Sequence, residues 1–114
     1  AKRPMYYHEF GVDQLQEIRG SRRSIGGFQG NERSFKNHEV VLPKNSSIYL
    51  TTDGIADQHN LQGKKIGSSK IRKLLTQIMN LPMDLQKNKL EEFLNSHQGT
   101  QHQRDDITVV GVRI

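Results

Sequence analysis

Two β-like runs with acidic residues at one end decide the fold: Ile-Tyr-Leu-Thr-Thr-Asp-Gly at residues 48–54, and Arg-Asp-Asp-Ile-Thr-Val-Val at residues 104–110. The apolar and β-branched residues of each run favour a buried strand, and the carboxylates lie at one end of it. Carboxylates are preferred ligands of hard divalent cations, and a strand end holds them more rigidly than a loop alone. The runs therefore predict a metal site at a sheet rim, as in metal-dependent hydrolases.

The composition is that of a small, polar, basic domain. The chain has 114 residues, enough for one domain or a piece of one, with 32% hydrophobic residues and a formal net charge of +5. A positive charge favours anionic partners such as nucleic acid, acidic lipid or phosphorylated protein. Only 6% of residues are aromatic, so the stacking surfaces of single-strand nucleic-acid binders are not evident. The absence of cysteine excludes disulfides and thiolate zinc sites and fits a reducing compartment.

The first half of the chain reads as four strands. An aromatic-rich strand is predicted at 4–10, and the alternating segment 15–19 is its expected hairpin partner. The glycine-rich segment 20–30 predicts a loop. Alternation predicts a third strand at 34–42, and a turn leads into the fourth strand at 47–52.

The second half changes to a helical period. An apolar stripe with helical spacing, preceded by Ser68 or Ser69 as N-cap, predicts one helix, and Pro82 opens a second that runs to about Ser96. The β-branched segment 107–114 predicts a central strand. The stripe consists of Ile71, Leu74, Leu75, Ile78 and Met79. The expected fold class is α+β, in the order β-β-β-β-α-α-β.

Asp53 and Gly54 allow two interpretations. Asp-Gly is a favoured turn pair, so an ordinary hairpin turn is the simpler one. No returning strand follows, however, because the chain continues into a polar loop and a helix. We therefore expect Asp53 to mark a strand end, with Gly54 free to adopt a positive φ beside a ligand.

Asp105 and Asp106 precede the last strand. Adjacent carboxylates repel each other unless a cation or solvent relieves them, so the alternatives are a metal site and a solvated loop. Adjacent side chains on an extended backbone point to opposite faces. We therefore expect Asp105 to share a cation with Asp53, and Asp106 to support it.

The motifs Thr-Asp-Gly-Ile at 52–55 and Arg-Asp-Asp-Ile-Thr-Val-Val at 104–110 together resemble the PPM family, the metal-dependent type 2C serine/threonine phosphatases, and specifically its bacterial SpoIIE/RsbU-like branch. The resemblance implies part of a β-sandwich flanked by helices, with two Mg²⁺ or Mn²⁺ ions at its edge and a metal-activated water that attacks the phosphoryl group. By match, Asp53 and Asp105 would be catalytic metal ligands. Asp106 would lie nearby as a less direct ligand, and Gly54 would give backbone clearance.

The chain also departs from that family. The family's catalytic domain is nearly twice as long, and its N-terminal half supplies the aspartate that bridges the two ions. Here the only aspartate before Asp53 is Asp13, and no Asp-Gly pair precedes Asp53. Residues 1–114 are therefore expected to be a single partial domain, the C-terminal half of a phosphatase domain, inactive alone. Its unpaired strand edges would favour dimerisation.

Arg22 and Arg23 lie in the glycine-rich segment. Arginine pairs bidentately with phosphate oxygens, so a contact with a substrate phosphate is one interpretation, and a solvated loop is the other.

The resemblance further implies a cytoplasmic domain in bacterial signalling, in a parent protein that a missing N-terminal part can anchor to a membrane. The implied substrate is a phosphorylated protein, such as a STAS-type anti-sigma-factor antagonist, with no nucleic-acid partner. Two alternatives remain open, a non-catalytic phosphatase-like module that binds protein and a basic nucleic-acid-binding domain. An upstream Asp-Gly pair at a strand end would favour catalysis.

Overall fold

The computed structural model describes residues 3–20 and 37–114. Their fold is α+β, as predicted from the sequence. Three strands come first, then three helices, then a last strand. The elements are β1 (Met5–His8), β2 (Leu15–Ile18), β3 (Ser47–Thr51), α1 (Asp53–Asp57), α2 (Gly67–Ile78), α3 (Met83–Gln98) and β4 (Val109–Arg113).

The four strands form one antiparallel sheet in the order β2-β1-β3-β4. The pairing of β1 with β2 confirms the predicted hairpin. In the pairing of β3 with β4, Thr51 is opposite Val109. Since the two strands are antiparallel, the end of β3 and the beginning of β4 lie at the same edge of the sheet. Both acidic runs therefore arrive at one rim.

Two strand predictions were wrong. The described part of the predicted third strand, residues 37–42, has no regular structure, while residues 34–36 lie outside the described ranges. Val41 is 95% exposed, so the apolar residues of that segment do not all face a core. The last strand was expected to be central but is an edge strand of the described sheet. β-branched residues indicate a good fit to a pleated surface and do not fix a strand's position in the sheet.

The two long helices follow the predicted pattern. All five residues of the apolar stripe in and just after α2 are buried. This helix begins at Gly67 after Ile66, without a capping side chain, so the predicted serine cap was wrong. Pro82 directly precedes α3, where its fixed φ and missing N–H are tolerated. Across residues 3–20 and 37–114, every helix is too short or too polar to cross a membrane.

The core lies between one face of the sheet and the helices. Tyr6 and Tyr49 contribute the strand side of this core, which α2 covers. On the other face, Leu50 and Val110 are cross-strand partners and remain 49% and 45% exposed. Apolar sheet faces of this kind usually pack against a second sheet or a helix.

The two core tyrosines differ in their hydrogen bonds. The Tyr49 hydroxyl donates to Oε1 of the buried Gln86 at 2.8 Å, and Gln86 Nε2 donates to the Leu81 carbonyl at 2.8 Å. The Tyr6 hydroxyl is equally buried but has no partner within the described residues. Burial raises the pKa of both hydroxyl groups above 10.0, so both stay protonated at neutral pH.

This difference predicts unequal costs for removing the two hydroxyl groups. Tyr49→Phe should lower the free energy of unfolding by about 1–3 kcal/mol, because Gln86 Oε1 loses its donor in a buried site. Tyr6→Phe removes a group without a partner and should change the same quantity by less than about 1 kcal/mol. Urea unfolding of the two variants measures both values. Equal losses of unfolding free energy would contradict a stabilising role for the hydrogen bond between Tyr49 and Gln86.

Candidate functional site

Thr52 joins the end of β3 to the segment that precedes β4. Its backbone N–H donates to the Thr108 carbonyl at 3.0 Å, and its Oγ1 accepts from the Thr108 N–H at 2.9 Å. Oγ1 also lies 3.3 Å from the Asp106 carbonyl oxygen. Thr52 belongs to the motif at 52–55, but its sequence context predicted no role for it. The bonds bring the backbones of the two acidic segments side by side at the rim.

Gly54 packs closely against the backbone of the second acidic segment. A Cβ atom at this position would lie 2.1 Å from the Asp106 carbonyl oxygen and 2.8 Å from its carbon. A side chain is therefore excluded at Gly54 by the protein's own backbone, and clearance beside a ligand stays a prediction. The expected positive φ was wrong, because Gly54 lies in α1 and the described glycines with positive φ are Gly11, Gly63, Gly67 and Gly99.

Asp53 is the first residue of α1, a five-residue helix that follows β3 after Thr52. An acidic side chain in the first helical turn interacts favourably with the helix dipole. The Asp53 side chain is 55% exposed, and its Oδ1 lies 3.5 Å from Nε of Arg3. The carboxylate therefore remains accessible to solvent while it pairs with a cation.

Asp105 and Asp106 are both exposed. Asp105 Oδ1 accepts a hydrogen bond from the Asp106 N–H at 2.8 Å, and the Asp105 carbonyl accepts one from Gln103 Nε2 at 2.9 Å. These bonds order the turn before β4. The assignment of Asp105, rather than Asp106, to a cation shared with Asp53 stays a prediction.

The segment before this turn has a second attachment. Gln58, directly after α1, is 1% exposed and donates from Nε2 to the His102 carbonyl at 3.0 Å. His97 Nε2 lies 3.1 Å from the Gln58 carbonyl. The burial of Gln58 could not be predicted from the sequence, because a lone glutamine beside a loop is ordinarily solvated.

The rim residues fit a hard divalent cation in donor type. Exposed carboxylates are the ligands that Mg²⁺ and Mn²⁺ prefer, and two acidic segments reach the rim. Within residues 3–20 and 37–114, however, no three Asp, Glu, His or Cys side chains are arranged to hold a metal ion. A metal ion at this rim would therefore need further ligands from outside the described residues.

A cleft of about 460 Å³ lies between α3 and the sheet, and Ile55 and Ile107, neighbours of the predicted ligands in the chain, are among its lining residues. Its lining is mainly apolar and includes Tyr49, Met83 and Leu90. Asp53, Asp105 and Asp106 do not line it. Arg22 and Arg23, the predicted phosphate contacts, lie outside the described residues.

Comparisons with known proteins identify the family. The family model of stage II sporulation protein E (SpoIIE) matches residues 2–114. The PP2C domain of SiaA from Pseudomonas aeruginosa is 32% identical, with a TM-score of 0.83, over 100% of this chain and 44% of that chain. No curated protein sequence matches the chain.

The phosphatase domain of the cell fate determinant SpoIIE from Bacillus subtilis, in a crystal form without domain swapping, has a TM-score of 0.63. Its identity of 20%, over 99% of this chain and 46% of that chain, shows a shared fold. The chain thus spans less than half the length of each of these two solved chains. The match to nearly every residue and the 32% identity to SiaA establish that this chain belongs to the SpoIIE family, as part of a PPM-type phosphatase domain.

Proposed function

We propose that this chain is part of a metal-dependent phosphoprotein phosphatase that hydrolyses phosphoserine or phosphothreonine in bacterial signalling. The observation that supports the proposal is the register of β3 with β4, which brings the start of α1, with Asp53, against the segment of Asp105 and Asp106. The membership of the chain in the SpoIIE family supports it as well. Acidic groups at one sheet rim are a suitable donor set for hard cations.

Asp53 and Asp105 would hold a Mg²⁺ or Mn²⁺ ion, with Asp106 beside them. Such ions, when bound, lower the pKa of water, neutralise phosphoryl oxygens and orient the attacking and leaving groups. The protein's part is to hold the carboxylates. Thr52 fixes the end of β3 to the turn before β4, and α1 fixes Asp53.

The remaining ligands of a two-ion site would come from the part of the domain that lies outside this chain. A partial carboxylate set binds a divalent ion weakly, because affinity follows ligand charge and rigidity. We therefore propose that residues 1–114 alone are inactive.

The net charge of +5 supports a phosphorylated protein as substrate, and a STAS-type anti-sigma-factor antagonist is the proposed class. Arg22 and Arg23 are proposed to contact its phosphate.

We also propose that the domain works in the cytoplasm, and that a separately produced fragment dimerises through the edges of β2 and β4.

One observation favours a second function, that of a non-catalytic phosphatase-like module that binds protein. Asp53 already pairs with Arg3, and an aspartate whose charge is compensated in this way has less need of a metal. This alternative predicts a folded domain without metal-dependent hydrolysis.

The complete domain distinguishes the two functions. Purified with its upstream half, it should hydrolyse a phosphoserine peptide and p-nitrophenyl phosphate in Mn²⁺, at least about a hundredfold faster than in EDTA. Residues 1–114 alone are the matched control and should give no hydrolysis above that in EDTA. A folded complete domain with equal rates in Mn²⁺ and EDTA would support the non-catalytic module instead.

A further inference from the structure

Arg3 is the basic side chain beside the candidate metal centre. Within the described parts of the chain, no other basic side chain lies within 4.0 Å of the carboxylates of Asp53, Asp105 or Asp106. The Arg3 side chain is 19% exposed, against 55% for Asp53. The carboxylate is therefore open to solvent on one side, while its cation is largely withdrawn from solvent.

The fold holds Arg3 in this position from two directions. Arg3 precedes β1 by two residues, and the register of β1 with β3, extended from the pair Tyr6 and Tyr49, sets Arg3 opposite Thr52. In addition, its Nη1 donates to Oγ of Ser68 in the first turn of α2 at 3.2 Å. Asp53 thus lies between a cation on the β1 side and two acidic residues on the β4 side.

The Arg3 guanidinium depends on Asp53 for its charge compensation. Its Nε and Nη2 atoms are buried and have no hydrogen-bond acceptor among the described residues. A buried cation is costly unless an anion compensates it, and Asp53 is the anion within ion-pair distance.

We propose that Arg3 is the internal counter-cation of Asp53 and that it lowers the affinity of the metal centre for a divalent cation. The inference rests on the proposed function, because it requires that metal centre. Arg3 and a divalent ion draw on the same carboxylate, and two cations beside it repel each other at short range. With Arg3 present, the site therefore needs a higher concentration of free divalent metal to be occupied.

Mn²⁺ binding to the complete domain, measured by isothermal titration calorimetry, tests the sign of this effect. Arg3→Met keeps the aliphatic stem and removes the charge, and should lower the Kd for Mn²⁺ by about tenfold. Arg3→Lys keeps the charge and should stay within about twofold of the wild type. Lys89→Met removes the same charge from the exposed surface of α3 and should also leave the Kd unchanged. An unchanged or weaker affinity in folded Arg3→Met overturns the proposal, and a weaker one would mean that Arg3 orients Asp53 for the metal.

A measurement on the wild type covers the case in which Arg3→Met fails to fold. Titration with Mg²⁺ should shift the NMR resonance of the Arg3 Nε–H. The Arg113 resonance should not move, because that side chain lies toward the other end of β4 and donates to the Leu81 carbonyl. An Arg3 resonance that stays still at saturating Mg²⁺ overturns the inference.

Asp53→Asn separates a failure of this inference from a failure of the proposed function. If the wild type binds no Mn²⁺, or if Asp53→Asn binds it as tightly, both the metal centre and the role of Arg3 are wrong. If the wild type binds Mn²⁺ through Asp53 and Arg3→Met does not tighten binding, only the role of Arg3 is wrong.

Discussion

Asp53→Asn in the complete domain should reduce Mn²⁺-dependent hydrolysis of p-nitrophenyl phosphate by at least about a hundredfold. A metal ion contributes several kcal/mol of transition-state stabilisation, and each 1.4 kcal/mol corresponds to about tenfold in rate. Asparagine has nearly the same shape but lacks the charge that a hard cation requires. The side chain is 55% exposed and asparagine keeps an oxygen beside Arg3, so the fold should be retained, with a lower Tm because Arg3 loses its compensating charge. Initial rates over a range of Mn²⁺ concentrations measure the effect.

Asp57→Asn is the matched control for this experiment. Asp57 closes the same short helix and is 53% exposed, and its Oδ1 lies 3.9 Å from Lys65 Nζ. An exposed ion pair of this kind contributes little to stability. The rate should stay within about twofold of the wild type. If Asp53→Asn behaves as this control does, Asp53 is not a metal ligand.

The parts of the fold that could be predicted from the sequence are those that depend on local pattern. The apolar stripe of α2 repeats over more than two turns, and Pro82 marks the start of α3 without reference to the rest of the chain. The meeting of the two acidic runs was also foreseeable, because each run attaches its carboxylates to the end of a strand.

The parts that could not be predicted depend on contacts between distant segments. The helix α1 has only five residues, too few for an apolar period to be visible, and it is ordered by its burial beside the core. Val40 and Leu42 alternate as strand residues do, yet no described strand pairs with them. Arg3 lies fifty positions before Asp53, so only the pairing of β1 with β3 relates them.

The same distinction explains why the role of Gly54 was only half predicted. The Asp-Gly pair suggested a turn with a positive φ, which is a local property. The structure instead requires glycine because the Asp106 carbonyl, 52 positions along the chain, occupies the space of a side chain. A long-range contact of this kind couples the two acidic segments, so that one cannot shift without the other.

Gly54→Ala should therefore be the most damaging small substitution at the rim. The added methyl group would lie 2.1 Å from the Asp106 carbonyl oxygen. A backbone carbonyl cannot rotate away as a side chain can, so the turn of Asp105 and Asp106 must move. Overpacking of this kind typically costs about 1–3 kcal/mol of stability. A displacement of about 1 Å at a catalytic group can cost about a hundredfold in rate. We expect the complete domain to lose several degrees of Tm and at least about tenfold of its Mn²⁺-dependent rate.

Gly111→Ala is the internal comparison. Gly111 lies in β4, and its added Cβ would meet the Tyr49 ring at 3.4 Å, the near limit of ordinary van der Waals contact. The change in its free energy of unfolding should stay within about 1 kcal/mol, with the rate retained, since alanine in an extended strand also restricts the unfolded chain. Thermal unfolding and initial rates of the two variants decide the matter together. Equal losses of activity in the two variants would contradict a special role for the contact between Gly54 and Asp106. The approach of the two acidic segments at the rim would then follow from the pairing of β3 with β4 alone.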